Sequence, residues 1–143
     1  MTENNNIQKT MPPAKAAFDD LIRLKLRREE RQEQPTDIFV KSLGKTMQFI
    51  APTHDQQLDF IAAVRRAGNI NGSYDAYRCL VYDCCPMLHD DKLHAELGVV
   101  EPYDIIDKLF GPIEVMEIGD TIADMYMASL ADDVKNSSSA TTK

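Results

Sequence analysis

The sequence predicts an α+β fold that is mainly α, with an N-terminal β-hairpin packed on a small bundle of helices between flexible N- and C-terminal tails. Three observations predict it. Apolar residues recur at helical spacing in several separate segments. One pair of runs rich in Ile, Phe, Val, Thr and Met, Asp37 to Leu43 and Thr46 to Ile50, flanks a glycine. Both ends of the chain are polar and lack any hydrophobic period.

Met1 to Pro13 is Asn-rich, ends in Pro12-Pro13 and reads as a flexible arm, residues 1–13. Residues 14–34 read as a charged helix whose apolar stripe, Phe18, Leu21, Ile22 and marginally Leu26, is short. Arg27 to Gln34 is wholly polar, so the second half of this helix stays in solvent. The pattern fits two readings: a helix that docks by one turn, or one that lies in a partner's groove. Residues 37–133 form the globular domain, and 134–143, with its Ser and Thr run, a disordered tail.

Within the globular domain, Gly44-Lys45 suits a tight two-residue turn between the strands. An isolated hairpin is marginal in water, so it must pack on helices or pair with another strand, which leaves homo-oligomerisation open. Thr53 to Ala67 opens with Thr53 and Gln56 in capping-box spacing, presents Leu58, Phe60, Ile61 and Val64 on one side, and stops at Gly68. Ser73 to Cys85 is the next core helix, with Tyr77, Leu80, Val81 and Cys84 in register and Pro86 as its stop. Asp90 to Leu97 is a short helix closed by Gly98, and Pro102 begins a further one that runs to Phe110. The last helix spans Pro112 to about Ala131, with Met116, Ile118, Ile122 and Met125 as its buried stripe. Tyr77 and Met125 fit core positions, whereas Tyr82 and Met127 fall off their stripes and are candidates for an exposed contact role.

Charge is distributed unevenly along the 143 residues. The net charge is −7, yet Tyr74 to Asp133 holds 14 acidic and 3 basic residues and Met1 to Ser73 holds 9 and 11. An acidic surface repels a phosphate backbone, so no nucleic acid is expected as a ligand for that half. No apolar run is long enough to span a membrane and no signal core is present, so a cytoplasmic protein is expected. Cys79, Cys84 and Cys85 are odd in number and two are adjacent, which suits free thiols in a reducing compartment.

Catalytic and metal chemistry find little material. His89 and His94 are five apart, off the shared face of a four-residue spacing; with Asp90 and Asp91 they are weighed as a metal site against a solvated helix start. Cys84 and Cys85 stand beside Asp83, whose charge raises a thiol pKa, and are read as buried structural residues. No phosphate-cradling loop, nucleophile elbow or Cys-x-x-Cys pair occurs. The expectation is a protein-binding protein with no catalytic residue, cofactor or metal, and Phe18, Leu21, Ile22, Tyr82 and Met127 are the candidate partner-binding residues.

From Asp37 to about Ser129 the order of features resembles the XkdN-like family of phage tail assembly chaperones, found in contractile-tail phages, prophages and phage-tail-like particles. The matching parts are a strand pair, Ile38 to Leu43 and Met47 to Ala51, then Thr53 to Ala67, Leu80 to Pro86 and the Asp90 to Leu93 segment. Gly98-Val99-Val100-Glu101-Pro102, Ile105 to Phe110 and Gly111-Pro112-Ile113-Glu114 follow. The chain departs from the pattern in its longer, more charged N-terminal helix and in Gly111-Pro112. The resemblance implies a factor that binds the tape-measure protein, keeps it soluble, helps recruit tail-tube subunits and is absent from the mature virion. The excess of acid between Tyr74 and Asp133 motivates a rival, an acidic regulator, such as a phage-encoded one, that inhibits a basic, nucleic-acid-binding partner.

Overall fold

The computed structural model describes residues 12–127, and the chain divides into two units between Glu30 and Arg31. The proposed tail at 134–143 and most of the arm at 1–13 lie outside the described residues.

Helix α1 spans Phe18–Glu33 and buries none of its residues. It starts four residues later than the sequence suggests. The Asp20 carboxylate accepts from the Ala17 N–H at 2.7 Å, which places the helix start at Ala17. That bond and the neighbouring Arg23 hold the Asp20 carboxyl below its usual range. The helix ends before Gln34 because the residue preceding a proline, here Pro35, is driven from helical geometry.

Strands β1 (Thr36–Val40) and β2 (Lys45–Phe49) form an antiparallel pair in which Ile38 faces Met47 and Val40 faces Lys45. The connection is a four-residue turn, Lys41 to Gly44, and not the expected two-residue Gly44-Lys45 turn. The N–H groups of Leu43 and Gly44 both donate to the Val40 carbonyl, and Gly44 takes φ 71°, which leaves Lys45 in the ladder. Period-two alternation turns Ile38, Val40, Met47 and Phe49 into the core and leaves Phe39 exposed.

Helix α2 (His54–Arg66) begins with the expected capping box, Thr53 with Gln56. Only Phe60 of this helix is fully buried, and Leu58, expected on the core side, is 51% exposed. Helix α3 (Ile70–Cys84) starts three residues before the expected Ser73, because the Asn69 side chain caps it by accepting from Gly72 N–H at 3.0 Å. It packs against α2 and against the last helix, and its Cys84 carbonyl accepts from Ile50 N–H at 2.8 Å, tying the hairpin to the bundle.

A 3-10 turn, Pro86–His89, leads to α4 (Asp91–Leu97), with Asp90 as N-cap and Gly98 as left-handed C-cap at φ 66°. Helix α5 (Asp104–Leu109) begins two residues after Pro102. The bonds Asp104 N–H to Glu101 and Ile105 N–H to Pro102 are i to i−3, so proline opens a tight turn before the regular helix. Helix α6 spans Pro112–Tyr126 and buries Val115, Ile118, Gly119, Ile122, Ala123 and Tyr126. Met116 is half-buried and Met125 is exposed, so Tyr126 takes the core place that the sequence assigns to Met125. Its hydroxyl donates to the Gln34 carbonyl at 3.0 Å. The expected continuation of this helix over residues 128–131 lies outside the described residues.

Candidate protein-binding surfaces

The apolar side chains of α1 stand in water. Phe18 is 78% exposed, and Leu21, Ile22, Leu24 and Leu26 are exposed too. Covering an apolar side chain fully gains about 1.5–3 kcal/mol, so the stripe of Phe18, Leu21, Ile22 and Leu26 is a surface that gains by being covered.

A second surface lies between α2 and α3. Asp75, Cys79 and Asp83 recur every fourth residue and so form one stripe on α3. Asp59, Phe60, Ala63 and Arg66 of α2 line the same cleft, as does Tyr103. The cleft holds about 270 Å³, with an apolar floor that includes Phe60, Ala76 and Leu80. Small-molecule sites are typically ~300–1,000 Å³ and more enclosed, so side chains of a docked helix suit this cleft better.

The rim is electrostatically tense. Tyr103 donates its hydroxyl to Asp83 at 3.0 Å. Burial holds the Asp83 carboxyl above its usual range; the Tyr103 bond acts against that shift, and the Asp59 charge adds to it. Tyr103 itself is pushed up to about 12 by burial and by Asp83. On the neighbouring surface Arg78 donates to Asp75 at 2.7 Å and Asp107 at 2.8 Å, and it reaches Asp104 at 3.3 Å.

Of the sequence-nominated contact residues, Phe18, Leu21 and Ile22 are exposed. Met127 is 6% exposed and belongs to the core, which corrects its assignment to the surface. The α6 helix ends at Tyr126, so the backbone of Met127 leaves helical geometry and its side chain does not follow the helical stripe. Tyr82 is half-buried against the core and makes ring contacts with His89 at 4.3 Å and Tyr103 at 4.8 Å. His89 is on the 3-10 turn, so a helical wheel misplaces it relative to His94: both reach Tyr82. The Nε2–H of His89 donates to the Tyr82 carbonyl at 2.7 Å and that of His94 to the Leu88 carbonyl at 2.6 Å, which commits both nitrogens to backbone. Asp90 is equally committed, accepting from the N–H groups of Lys92 and Leu93. Burial raises the thiols, Cys84 to about 12 and Cys79 to about 11, and the Asp83 charge adds to both.

No helix among the described residues is long and apolar enough to cross a membrane. Compared with known proteins, the chain matches no family model, no curated protein and no solved structure.

Proposed function

We propose that this chain is a phage tail assembly chaperone: it binds the tape-measure protein, keeps it soluble, helps recruit tail-tube subunits, and departs before the tail is complete. It acts in the cytoplasm of the bacterial host. The observation that carries the reading is the uncovered apolar row of α1, none of whose residues is buried. A long helical client exposes apolar stripes of its own, and a row such as Phe18, Leu21 and Ile22 gives them a place to bind. The excess of acid in residues 74–133 supplies the charged coat that keeps such a complex dispersed. The order of hairpin, capped helix, core helix and last helix is the order met in the resemblance, with Gly111-Pro112 as a departure from it.

Co-expression with the tape-measure protein encoded beside it tests the proposal. The client is expected to move from pellet to supernatant and to co-purify, and Leu21→Asp with Ile22→Asp is expected to abolish the capture. A client that stays insoluble and unbound would end the chaperone reading.

The second reading, an acidic inhibitor of a basic nucleic-acid-binding partner, is favoured by the −11 charge of residues 74–133. Ionic strength separates the two. Contacts to an electrostatic mimic weaken steeply from low to physiological salt, while apolar contacts of α1 weaken little.

A further inference from the structure

The α2/α3 cleft is lined by Asp59, Asp75 and Asp83 against one cation, Arg66, so it is net acidic, while one stretch of α1 is basic. Asp75 at the cleft rim is already paired with Arg78. Asp59 and Asp83 have no lysine or arginine within ion-pair distance among the described residues. On α1 the run Leu21-Ile22-Arg23-Leu24-Lys25-Leu26-Arg27-Arg28 holds four cations and no acid. Asp20 engages Arg23 and Glu29 engages Lys25 within the helix, whereas Arg27 and Arg28 find no carboxylate partner among the described residues. Leu21, Leu24 and Arg28, at i, i+3 and i+7, share one face.

We propose that α1 of one copy lies in the α2/α3 cleft of a second copy, with Leu21 and Leu24 on the apolar floor and Arg27 and Arg28 facing Asp59 and Asp83. Each copy offers one helix and one cleft, and reciprocal exchange between two copies satisfies both in a closed two-fold dimer. The occupant is a second copy because the chain carries the complementary segment itself, always at the same concentration as the cleft. Charge sets the arrangement. Two halves of −11 repel when brought face to face, and inserting the basic run between them replaces that repulsion with attraction. The dimer would store Leu21 and Leu24 of α1 while no client is present, but the pairing does not depend on what the client is, and its test needs none.

Sedimentation velocity of the full chain over a concentration series supplies the test, with two charge-reversed variants, Arg27→Glu/Arg28→Glu and Asp59→Lys/Asp83→Lys. The wild type is expected to dimerise. Each variant alone meets like charge at both contacts, and its dissociation constant should rise at least ~tenfold. An equimolar mixture of the two variants opposes acidic helix to basic cleft, and basic helix to acidic cleft, so a heterodimer should recover. Far-ultraviolet circular dichroism checks that each variant is folded, and if Asp83→Lys is not tolerated the pair Arg28→Glu and Asp59→Lys replaces it. A wild type that stays monomeric throughout, including one whose α1 seats in its own cleft, overturns the proposal. So do variants that dimerise like wild type, or folded variants that fail to pair when mixed.

Discussion

The ring of Tyr77 lies against Gly119: a Cβ placed on that glycine would come within 2.3 Å of Tyr77 Cδ1. Tyr77 belongs to α3 and Gly119 to α6, so a residue without a side chain sets how closely these two helices approach. The ring is held from two other directions. Phe60 of α2 meets it edge-on with centroids 5.2 Å apart, and its hydroxyl donates to Asp120 at 2.7 Å.

Gly119→Ala is therefore expected to destabilise the protein. Alanine favours a helix interior by about 1 kcal/mol over glycine. Overpacking a filled contact costs about 1–3 kcal/mol, and here the obstructing ring is pinned by Phe60 and Asp120. A net loss, read as a lower urea midpoint with an unchanged slope, is the expected outcome. A rise in the midpoint would show that Tyr77 can move away freely.

Local chemistry was legible in the sequence, and chemistry assembled across the chain was not. Thr53 with Gln56, and Gly98 closing α4, operate within a few residues, so spacing alone reveals them. The turn at Lys41 to Gly44 is fixed from afar: the Ser42 N–H and hydroxyl both donate to Glu114, 72 residues away. Local spacing favours a two-residue turn because the Glu114 contact is not encoded near Gly44. Phe60 and Leu58 are both apolar on one helix, and only the approach of Tyr77 shows which of them is covered. The cleft was half legible. Asp75, Cys79 and Asp83 are a readable stripe on one helix, but Asp59 and Tyr103 reach it from other elements.

The cysteines should divide by reactivity. Cys84 and Cys85 are fully buried, whereas Cys79 is half-buried at the cleft with its thiol raised to about 11. The thiolate is the nucleophile, so Cys79 reacts slowly near neutral pH and faster as pH rises. Iodoacetamide followed by intact-mass spectrometry is expected to add one group to the folded chain and three after unfolding in urea. Rapid triple labelling without denaturant would contradict the buried placement of the adjacent pair.

Arg78 gathers three carboxylates, Asp75, Asp104 and Asp107, and its side chain is only 22% exposed. Tyr74 shares Asp107, donating its hydroxyl to the same carboxylate. Arg78→Met keeps much of the stem packing and leaves those acids without their cation. Its partners are solvent-exposed, so the expected loss is modest, about 1–2 kcal/mol. The diagnostic is salt. Added sodium chloride should recover part of the variant's thermal stability relative to wild type, because screening relieves repulsion among the stranded carboxylates. A salt-independent deficit would assign the loss to packing instead.

Asp83 gives the pH prediction, and its sign runs opposite to that of a salt-bridged carboxylate. Burial, with the Asp59 charge acting in the same direction, raises its folded-state pKa above the ordinary carboxylate value, although the Tyr103 hydroxyl bond and His89 act against it. The folded protein then binds the proton more tightly than the unfolded chain, so the ionised group opposes folding at neutral pH. As pH rises from about 3.8 through the raised value, the Asp83 contribution to stability falls, and above that value the deficit is constant. Asp83→Asn removes the charge and keeps an oxygen that can accept from Tyr103. Urea midpoints should therefore be higher for the variant than for wild type at pH 7, and the gap should narrow as the wild-type carboxyl becomes protonated. A variant less stable than wild type at pH 7, by an amount that grows as pH rises, would mean that the ionised carboxylate stabilises the fold and that the Tyr103 bond outweighs burial and Asp59.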